Sequence, residues 1–507
     1  MIRNQRLIRQ IILFCLAVFS FPAAAQVLEI HNPVIPGYHP DPSICRVGDD
    51  YYIVNSSFQY FPGVPLYHSK DLVNWELIGN VLDRESQIPL KDANSSGGIF
   101  ATTIRYNEGT YYMVTTNVTT GGNFFVTAKD PKGPWSEPVY LKQGGIDPSF
   151  LFEDGKCYMV SNPNGIVLCE IDPVTGKQLT ESKVLWYGTG GRYAEGPHIY
   201  KKDGWYYLLI SEGGTEMGHG LTVARSRDIW GPYESNPLNP ILTQFRQVSQ
   251  GHQIQGTGHG DFVQAPDGSW WVVFLGFRRY GGDFHHLGRE TFLAPVTWVS
   301  GWPVINDGAP IEATMPVKAS WSAPAPAKKS WREEFDSPLG PKWVYIQNPE
   351  MSRYKMDKGR LILVGAAPLD ERDHPTFVGV RQESPGIVAE TKVRLDSRSG
   401  KSGLVVYQDF NGYAAIEVLS GKAALRLRLK SVDTILGEVP VKGREAVVRV
   451  ESKDGHMYEF FADGKPLGSF ETSLLSSEVV GGFTGVMLGL FAEGGRAGFE
   501  YFDYQEK

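Results

Sequence analysis

The feature that most constrains the fold is a motif that recurs five times in the first part of the chain. Each copy has an apolar residue, then a short segment rich in Gly, Asp or Asn, and then an aromatic residue eight positions after the apolar one. The copies are Ile44–Tyr52, Ile104–Tyr112, Phe150–Tyr158, Ile199–Tyr207 and Val263–Trp271. Turns of this composition between apolar segments are typical of tight β-hairpins, so each copy is predicted to form one hairpin.

The spacing of the copies sets the size of the repeating unit. Successive copies begin 60, 46, 49 and 64 residues apart, and no helical periodicity lies between them. A unit of that length suits a four-stranded propeller blade. The aromatic fraction of 12%, with 57 Gly and 33 Pro, also favours strands joined by many turns. The chain is therefore predicted to be all-β and to contain a five-bladed β-propeller. A β-sandwich whose hairpins are alike by chance is the alternative.

Acidic residues recur just before the repeated hairpins. Asp41 and Asp147 stand three residues before the apolar position of their copies, and Glu195 stands four residues before Ile199. The first strands of the blades surround the propeller axis, so side chains at this point of different blades converge on one funnel. Crowded carboxylates raise each other's pKa and destabilise a fold, which indicates a functional reason for their presence. The alternative is that they belong to separate turns or caps and never meet.

Three converging carboxylates allow two kinds of chemistry. Two carboxyl groups that flank a sugar can cleave a glycosidic bond: one protonates the leaving oxygen, and the other activates water or attacks directly. Three acids could instead hold Ca²⁺. Ca²⁺ ligands usually come from one short stretch of chain, whereas these residues lie about 50 and 100 positions apart, which favours catalysis.

Short runs on the predicted blades give the sequence a family resemblance. They are His39–Ser43, Ser57–Phe58, Phe61–Val64, Gly97–Ile99, Ile146–Ser149, Glu195–His198, Gly256–Gly260 and Leu287–Glu290. In this order, over most of residues 26–316, they resemble glycoside hydrolase family 43, five-bladed propeller enzymes that include β-xylosidases and α-L-arabinofuranosidases. The resemblance implies that Asp41 is the general base, Glu195 the general acid and Asp147 the residue that orients the acid and tunes its pKa. The family inverts anomeric configuration, so a separation of about 6.5–9.5 Å is expected between the carboxyl groups of Asp41 and Glu195.

The resemblance also implies residues that bind sugar and metal. Phe58 and Phe100 match positions that line the terminal sugar subsite, and Arg289 matches an arginine that hydrogen-bonds sugar hydroxyls beside the base. His259 resembles a histidine that helps to hold a structural calcium at the propeller centre, while the chemistry itself requires no cofactor. Without the family, Arg289 also fits a surface arginine at a strand end, and His259 a buried histidine bonded to backbone. Phe100 replaces a tryptophan common in β-xylosidases, which leaves the sugar open.

The second half of the chain has a different pattern. Residues 317–330 are rich in Pro, Ala and Lys and are predicted to be a linker. Residues 331–507 contain runs of alternating apolar and polar residues, such as Ala424–Leu429 and Ala446–Val450, which predict a β-sandwich. This part resembles the concanavalin-like domain that follows the propeller in one branch of the family. A role in bracing the propeller and closing one rim of the pocket is favoured over lectin-like glycan binding.

The N-terminus and the charge indicate location and partners. Arg3, Arg6 and Arg9 precede the apolar segment 11–21, and residues 23–25 are all Ala, which predicts a signal peptide at residues 1–25 and a secreted or periplasmic protein. The apolar segment is too short to span a membrane. A net charge of −7 argues against nucleic acid or anionic lipid as partners. The expected partner is an oligosaccharide or polysaccharide, and the oligomeric state stays open.

Three cysteines follow the predicted signal peptide. They are Cys45, Cys157 and Cys169. An odd number means that at least one is free or pairs between chains. A bridge between Cys157 and Cys169, on two strands predicted to be neighbours, is one possibility.

The sequence therefore predicts an inverting, exo-acting glycoside hydrolase. It would release a terminal pentose, xylose or arabinofuranose, from plant cell-wall glycans such as xylan. Two alternatives stay open: a family relative that acts on another sugar such as galactose, and a propeller that binds glycan without cleaving it. The presence of all three acids favours an enzyme.

Overall fold

The computed structural model describes residues 26–507, so the predicted signal peptide lies outside the described residues. The described chain is almost entirely β-structure, with five small blade sheets followed by two sheets of eight strands. None of the helices in this range is long and apolar enough to cross a membrane. The predicted all-β class, a five-bladed propeller followed by a sandwich, is confirmed.

Five antiparallel sheets form the propeller, and we call them blades I to V in chain order. Each blade begins with one of the hairpins predicted from the repeat. In chain order the strands are β1 (Gln26–His31); β2 (Ser43–Val47), β3 (Asp50–Val54), β4 (Tyr60–Phe61), β5 (Gly63–Ser69) and β6 (Glu76–Leu82) around blade I; β7 (Thr103–Asn107), β8 (Thr110–Asn117), β9 (Gly122–Ala128) and β10 (Val139–Tyr140) in blade II; β11 (Ser149–Glu153), β12 (Lys156–Ser161), β13 (Ile166–Ile171) and β14 (Lys183–Trp186) in blade III; β15 (Glu195–Lys202), β16 (Trp205–Glu212), β17 (Gly220–Ser226), β18 (Glu234–Ser235) and β19 (Leu242–Thr243) in blade IV; β20 (Ile254–Gln264), β21 (Trp270–Arg278), β22 (Glu290–Val299) and β23 (Trp302–Ile305) in blade V; and β24 (Thr314–Ala319).

The first strands of the five blades contact one another in a ring, in the order β2, β7, β11, β15, β20 and back to β2. The ends of the propeller domain meet because β1 pairs antiparallel with β24, from Gln26 opposite Ala319 to His31 opposite Thr314. The residues just before each first strand are thereby brought to one end of the ring, as the repeat predicted.

A buried ion pair joins the inner strands of four blades. The carboxylate of Asp261 on β20 accepts two hydrogen bonds from Arg105 on β7, at 2.7 and 3.1 Å. It also accepts the hydroxyls of Ser43 on β2, at 2.6 Å, and Tyr200 on β15, at 2.5 Å. Burial would raise the pKa of Asp261, but Arg105 outweighs it and lowers that pKa to about 2. The carboxylate is therefore ionised and fixes blades I, II, IV and V to each other.

The second domain is a sandwich of two large sheets around one apolar core. The sheet we call S1 has the order β34-β33-β32-β31-β38-β29-β26-β4, and the sheet S2 has the order β27-β28-β39-β30-β35-β36-β37, with β25 also paired to β39. Their strands are β25 (Ser330–Glu333), β26 (Val344–Ile346), β27 (Tyr354–Met356), β28 (Leu361–Val364), β29 (Thr376–Arg381), β30 (Ile387–Leu395), β31 (Lys401–Asp409), β32 (Gly412–Leu419), β33 (Lys422–Leu429), β34 (Val432–Pro440), β35 (Glu445–Ser452), β36 (Met457–Ala462), β37 (Lys465–Glu471), β38 (Met487–Glu493) and β39 (Arg496–Glu506).

Helical segments are few and short in the described chain. One turn of α-helix, α1, spans Ser477–Val480. Four 3₁₀ segments occur at Phe245–Gln250, Asn306–Gly308, Met351–Arg353 and Thr472–Leu475. The sites described below are therefore built on strand ends and loops.

The two domains share a sheet. Strand β4 leaves blade I and pairs with β26, placing Phe61 opposite Tyr345 and Tyr60 opposite Ile346. The propeller thus supplies the edge strand of S1, which covers that edge and fixes the sandwich to blade I.

The connection between the domains is packed on the propeller. Strand β24 continues to Ala319 and so takes up the first residues of the segment predicted as a linker, whereas residues 320–329 run between β24 and β25. Within them, the Trp321 indole N–H donates to the carbonyl of Asp71 at 3.1 Å. The Pro- and Ala-rich segment is therefore held against blade I.

The three cysteines within residues 26–507, Cys45, Cys157 and Cys169, are buried and free. In the pairing of β12 with β13, Cys157 lies opposite Ile171 and Cys169 lies opposite Met159, so the two cysteines are diagonal neighbours. Diagonal positions of an antiparallel pair lie about 7–8 Å apart, too far for an unstrained disulfide. The possible bridge between Cys157 and Cys169 is not formed.

Candidate active site

One pocket at the end of the inner strands contains every residue that the sequence assigned to the site. These are Asp41, Phe58, Phe100, Asp147, Glu195, His259 and Arg289. The rest of its lining is Ala101, Ile146, Thr215 and Phe483. The carboxylates come from blades I, III and IV, so the alternative that they belong to turns that never meet is wrong.

The backbone has a left-handed conformation at three of these residues and at Gly196, which follows Glu195. Asp41 and Asp147 have φ of 51° and 53°, Gly196 has 60°, and His259 has 44°. A left-handed conformation at a non-glycine residue costs of order 1 kcal/mol or more, so it persists only where the surroundings enforce it. The bend lies just before the first strand in blades I and III, at the second residue of β15 in blade IV, and in the middle of β20 in blade V, where the register with β21 shifts.

Asp41 is held as a carboxylate. Its Oδ1 accepts a hydrogen bond from Nη1 of Arg289 at 3.0 Å, and its Oδ2 accepts the Ser56 hydroxyl at 2.6 Å. The Nδ1 atom of His259 lies 3.7 Å from Oδ1. Burial is the largest influence and would raise the pKa of Asp41, but Arg289 and His259 outweigh it and the pKa is lowered. This group can accept a proton at neutral pH.

Glu195 has the opposite environment. Burial, followed by the negative charge of Asp41, raises its pKa to about 7, although Arg289 opposes the shift. Glu195 is the first residue of β15, and it is partly buried in the pocket. Two carboxyl groups in one pocket thus differ in protonation: Asp41 is ionised at neutral pH, whereas Glu195 still carries a proton on about half of the molecules.

Asp147 connects to Glu195 through the backbone. Its Oδ2 accepts the N–H of Gly196 at 3.0 Å. Burial, then the negative charge of Glu195, then that of Asp41 raise the pKa of Asp147 well above its ordinary value. A Cβ added at Gly196 would lie 3.0 Å from the His259 ring, so glycine here allows both the close approach and the hydrogen bond.

The segment that leads into Glu195 is fixed by a second buried carboxylate. Glu212 accepts the backbone N–H groups of Thr189 and Gly191, each at 2.9 Å, and the Thr222 hydroxyl at 2.7 Å. A Cβ added at Gly188 would come within 2.6 Å of Oε1 of Glu212. The loop before Glu195 therefore wraps around this carboxylate, which orders the chain next to the acid.

Aromatic rings form the apolar wall. Phe58 packs against Phe100 with ring centres 5.3 Å apart and against Phe483 at 6.0 Å. The guanidinium of Arg289 lies 5.8 Å from the Phe58 ring centre and 5.7 Å from that of Phe483. Phe483 belongs to the sandwich, and its N–H donates to the Ser96 hydroxyl of the propeller at 2.8 Å. The second domain thus closes part of the pocket rim.

Sequence reasoning missed Phe483, Thr215 and the hydrogen bond from Ser56. Ser56 adjoins one of the recognised runs, so its position was a usable signal. Phe483 lies in a loop between α1 and β38, and no pattern in that loop indicates contact with another domain. The calcium expected near His259 has no preformed cage of side chains, because residues 26–507 contain no group of three His, Cys, Asp or Glu side chains placed to hold a metal.

The fold and the pocket define a class of protein. The small aromatic-walled pocket contains an ionised carboxylate, a carboxyl group that is partly protonated at neutral pH, and an arginine. A base and an acid placed in this way are the groups needed to hydrolyse a glycosidic bond. A β-propeller with this site is a glycosidase.

Comparison with protein families specifies the class further. A model described as glycosyl hydrolases family 43 matches residues 30–303, and one described as beta xylosidase C-terminal concanavalin A-like domain matches residues 332–505. The chain belongs to glycosyl hydrolase family 43, as the sequence runs indicated.

Relatives match along the whole described length. The non-reducing end alpha-L-arabinofuranosidase BoGH43B of Bacteroides ovatus is 40% identical, with 94% of each chain covered. The xylosidase/arabinosidase of Butyrivibrio fibrisolvens is 37% identical, with 94% of this chain and 98% of the relative covered. Among solved structures, Bacteroides ovatus xyloglucan PUL GH43B superposes with a TM-score of 0.90 at 38% identity, covering 94% of this chain and all of the other. The GH43 protein BlXynB of Bacillus licheniformis gives a TM-score of 0.87 at 33% identity, covering 94% of this chain and 100% of the other.

Proposed function

We propose that this protein is an inverting, exo-acting glycosidase that removes a terminal pentose, xylose or arabinofuranose, from plant cell-wall glycans such as xylan. The observation that carries the proposal is the difference in protonation between Asp41 and Glu195 within one pocket. Exo action is supported by the shape of the site, because side chains from all five blades and Phe483 of the sandwich enclose it as a pocket, which suits a chain end.

Each carboxyl group has a distinct part in the proposed reaction. Asp41 accepts a proton from a water molecule whose oxygen bonds to the anomeric carbon. The bond between that carbon and the glycosidic oxygen breaks, and Glu195 gives its proton to the leaving oxygen. Asp147 acts as a positioning residue, since its bond to the Gly196 N–H fixes the backbone beside Glu195. One water is consumed, and the configuration at the anomeric carbon inverts.

The rest of the pocket binds the sugar. Arg289 is buried and uses Nη1 for Asp41, and its Nε has no protein partner among the described residues. A sugar hydroxyl in the pocket would satisfy the remaining guanidinium donors. The rings of Phe58, Phe100 and Phe483 offer apolar faces to the C–H groups of a pentose and exclude water from the acid.

The pentose is supported by the names of two relatives, one called an arabinofuranosidase and the other a xylosidase/arabinosidase. A panel of nitrophenyl glycosides tests the proposal. Release from the α-L-arabinofuranoside or the β-D-xyloside is expected. Release from a galactoside alone would contradict the pentose assignment, and binding without any release would contradict catalysis.

Variants make the assignment of roles specific. On a natural disaccharide, whose leaving oxygen needs a proton, Asp41→Asn and Glu195→Gln should each lower turnover about 10²–10⁴-fold, because a general acid or base contributes about that much. The matched control is Glu181→Gln, a carboxylate on the exposed surface outside the pocket. Glu195→Gln and Glu181→Gln should unfold at the same temperature as the unchanged protein, whereas Asp41→Asn removes the charge that pairs with buried Arg289 and should unfold at a lower temperature while staying folded under the assay conditions. Loss of fold in both pocket variants would count against the catalytic roles.

Calcium and export remain proposals. The buried oxygens Oε1 of Gln255 and Oγ1 of Thr257, on the same strand as His259, have no hydrogen-bond partner among the described residues, which suits a hydrated cation or ordered water. If calcium is held there, a chelator should lower the melting temperature and added calcium should restore it.

Export should yield a mature protein that begins at Gln26, which N-terminal sequencing of a periplasmic or culture fraction would check.

A further inference from the structure

A second cavity lies between the propeller and the sandwich and shares no lining residue with the catalytic pocket. Its volume is about 320 Å³. Blade I contributes Trp75 to its wall, and the sandwich side contributes Lys342, Arg381, Glu383 and Tyr504. A cavity of this size at a domain junction can hold a small molecule that contacts both domains.

The cavity has an excess of positive charge. Lys329, Lys342 and Arg381 line it together with a single carboxylate, that of Glu383, so the balance is three positive charges against one. Lys329 pairs with Glu383 at 2.5 Å. Neither Lys342 nor Arg381 has a carboxylate within 4 Å among the described residues. Two cations therefore face the cavity without a counter-ion.

Of the two cations, Arg381 has the greater need for a hydrogen-bond partner. Its side chain is buried, with the residue only 6% exposed, and Nε donates to the carbonyl of Tyr38 at 2.8 Å. Its Nη2 is buried and has no hydrogen-bond partner among residues 26–507. Its Nη1, in contrast, is not buried and makes no hydrogen bond to the described residues, so this N–H group can donate to an oxyanion in the cavity.

The wall also has an apolar part. Trp75 is half-buried, and its indole N–H already donates to the carbonyl of Leu72 at 2.8 Å, so what it offers the cavity is its ring. Lys342 lies 3.8 Å above the ring centre of Trp331, which places the ammonium group at the cavity wall. Aromatic surface beside unpaired cations suits an anion that carries an apolar face, such as a sugar ring with a carboxylate.

We propose that this interdomain cavity binds a small oxyanion through Arg381 and Lys342, and that the carboxylate of a sugar acid is the form that fits its mixed walls. A bound anion would be held by cations of the sandwich and would contact the propeller at Trp75 and His39. It would also lie near the catalytic pocket, because Arg381 holds the carbonyl of Tyr38 and the cavity-lining His39 stands two residues before Asp41.

Titration of the full-length enzyme with D-glucuronate, D-glucose and sulfate at constant ionic strength tests the proposal, read by thermal shift and calorimetry. Glucuronate should raise the melting temperature by a few degrees and bind at one site, whereas glucose should do neither. Sulfate acting as well as glucuronate would support the oxyanion site with a free inorganic anion as the source. No shift with either anion would overturn the proposal.

Variants locate the site. Lys342→Gln should abolish the anion-dependent shift while leaving glycosidase activity unchanged, because Lys342 does not line the catalytic pocket. The control is Lys91→Gln, an exposed lysine outside the cavity, which should behave as the unchanged protein does. Arg381→Lys should weaken binding, and its folding is checked separately by circular dichroism. Anion binding that survives Lys342→Gln undiminished would overturn the proposal.

Discussion

The raised pKa of Glu195 makes a direct prediction about rate and pH. Glu195 must carry a proton to act as an acid, so activity falls as pH rises through its pKa of about 7. About half of the molecules are protonated at pH 7, roughly a tenth at pH 8 and roughly a hundredth at pH 9. The value of kcat/KM should therefore fall about fivefold from pH 7 to 8 and about tenfold from pH 8 to 9.

The assay measures kcat/KM on the preferred pentoside from pH 4 to 9 at constant ionic strength, with a leaving group that does not titrate in that range. Because the charge of Glu195 also raises the pKa of Asp147, the fall in rate at alkaline pH reports both carboxyl groups. Glu216→Gln is an informative control. The Glu216 side chain is 64% exposed, and its charge makes the smallest contribution to the pKa of Glu195, so the alkaline fall in kcat/KM should move only slightly to lower pH. A profile that stays flat to pH 9, or one that falls with a midpoint near 4.5, would refute the assigned environment of Glu195.

Other predictions concern the propeller axis and the pocket rim. Asp261→Asn leaves the buried charge of Arg105 without its partner and should lower the free energy of unfolding, measured in urea, by about 3–5 kcal/mol. The control Asp49→Asn, at an exposed residue, should change that free energy little. A loss below about 1 kcal/mol in Asp261→Asn would contradict the role of the ion pair. Because folding lowers the pKa of Asp261 to about 2, its stabilisation is present above the ordinary pKa and disappears as pH falls towards 2, so melting temperatures from pH 5 to 2.5 should fall less steeply in the Asp261→Asn variant. Phe483→Ala should reduce kcat/KM about tenfold by removing one apolar wall of the sugar site, while exposed Phe245→Ala should not; unchanged kinetics would show that the sandwich does not contribute to binding.

The central part of the site was predictable because it follows the repeat. The offset between the acid and the apolar residue of its hairpin is three residues for Asp41 and Asp147 and four for Glu195, so the three acids lie at the same end of the ring. Asp41, Asp147 and Glu195 therefore meet although more than a hundred residues separate the first two. The repeat also explains why the left-handed bend occurs at Asp41 and Asp147 alike.

Other contacts were not predictable because no local pattern encodes them. Phe483 reaches the pocket because the sandwich docks on the propeller through contacts distant in sequence, such as the pairing of β4 with β26 and the bond from Phe483 to Ser96. The two residues of β4 are too few to show a strand period. The pairing of Asp261 with Arg105 likewise depends on which inner strands face each other across the axis, which the hairpin motif does not specify. The cavity at Arg381 needs the docked positions of both domains.

The most direct test of the central claim is the dependence of rate on the leaving group in two variants. Glu195→Gln should lose little activity on a dinitrophenyl pentoside, whose leaving group needs no proton, and should lose orders of magnitude on a natural disaccharide. Asp41→Asn should lose activity on both substrates, because water activation is needed for each. Equal losses of Glu195→Gln on both substrates, or full activity of Asp41→Asn on either, would contradict the division of labour between the two carboxyl groups.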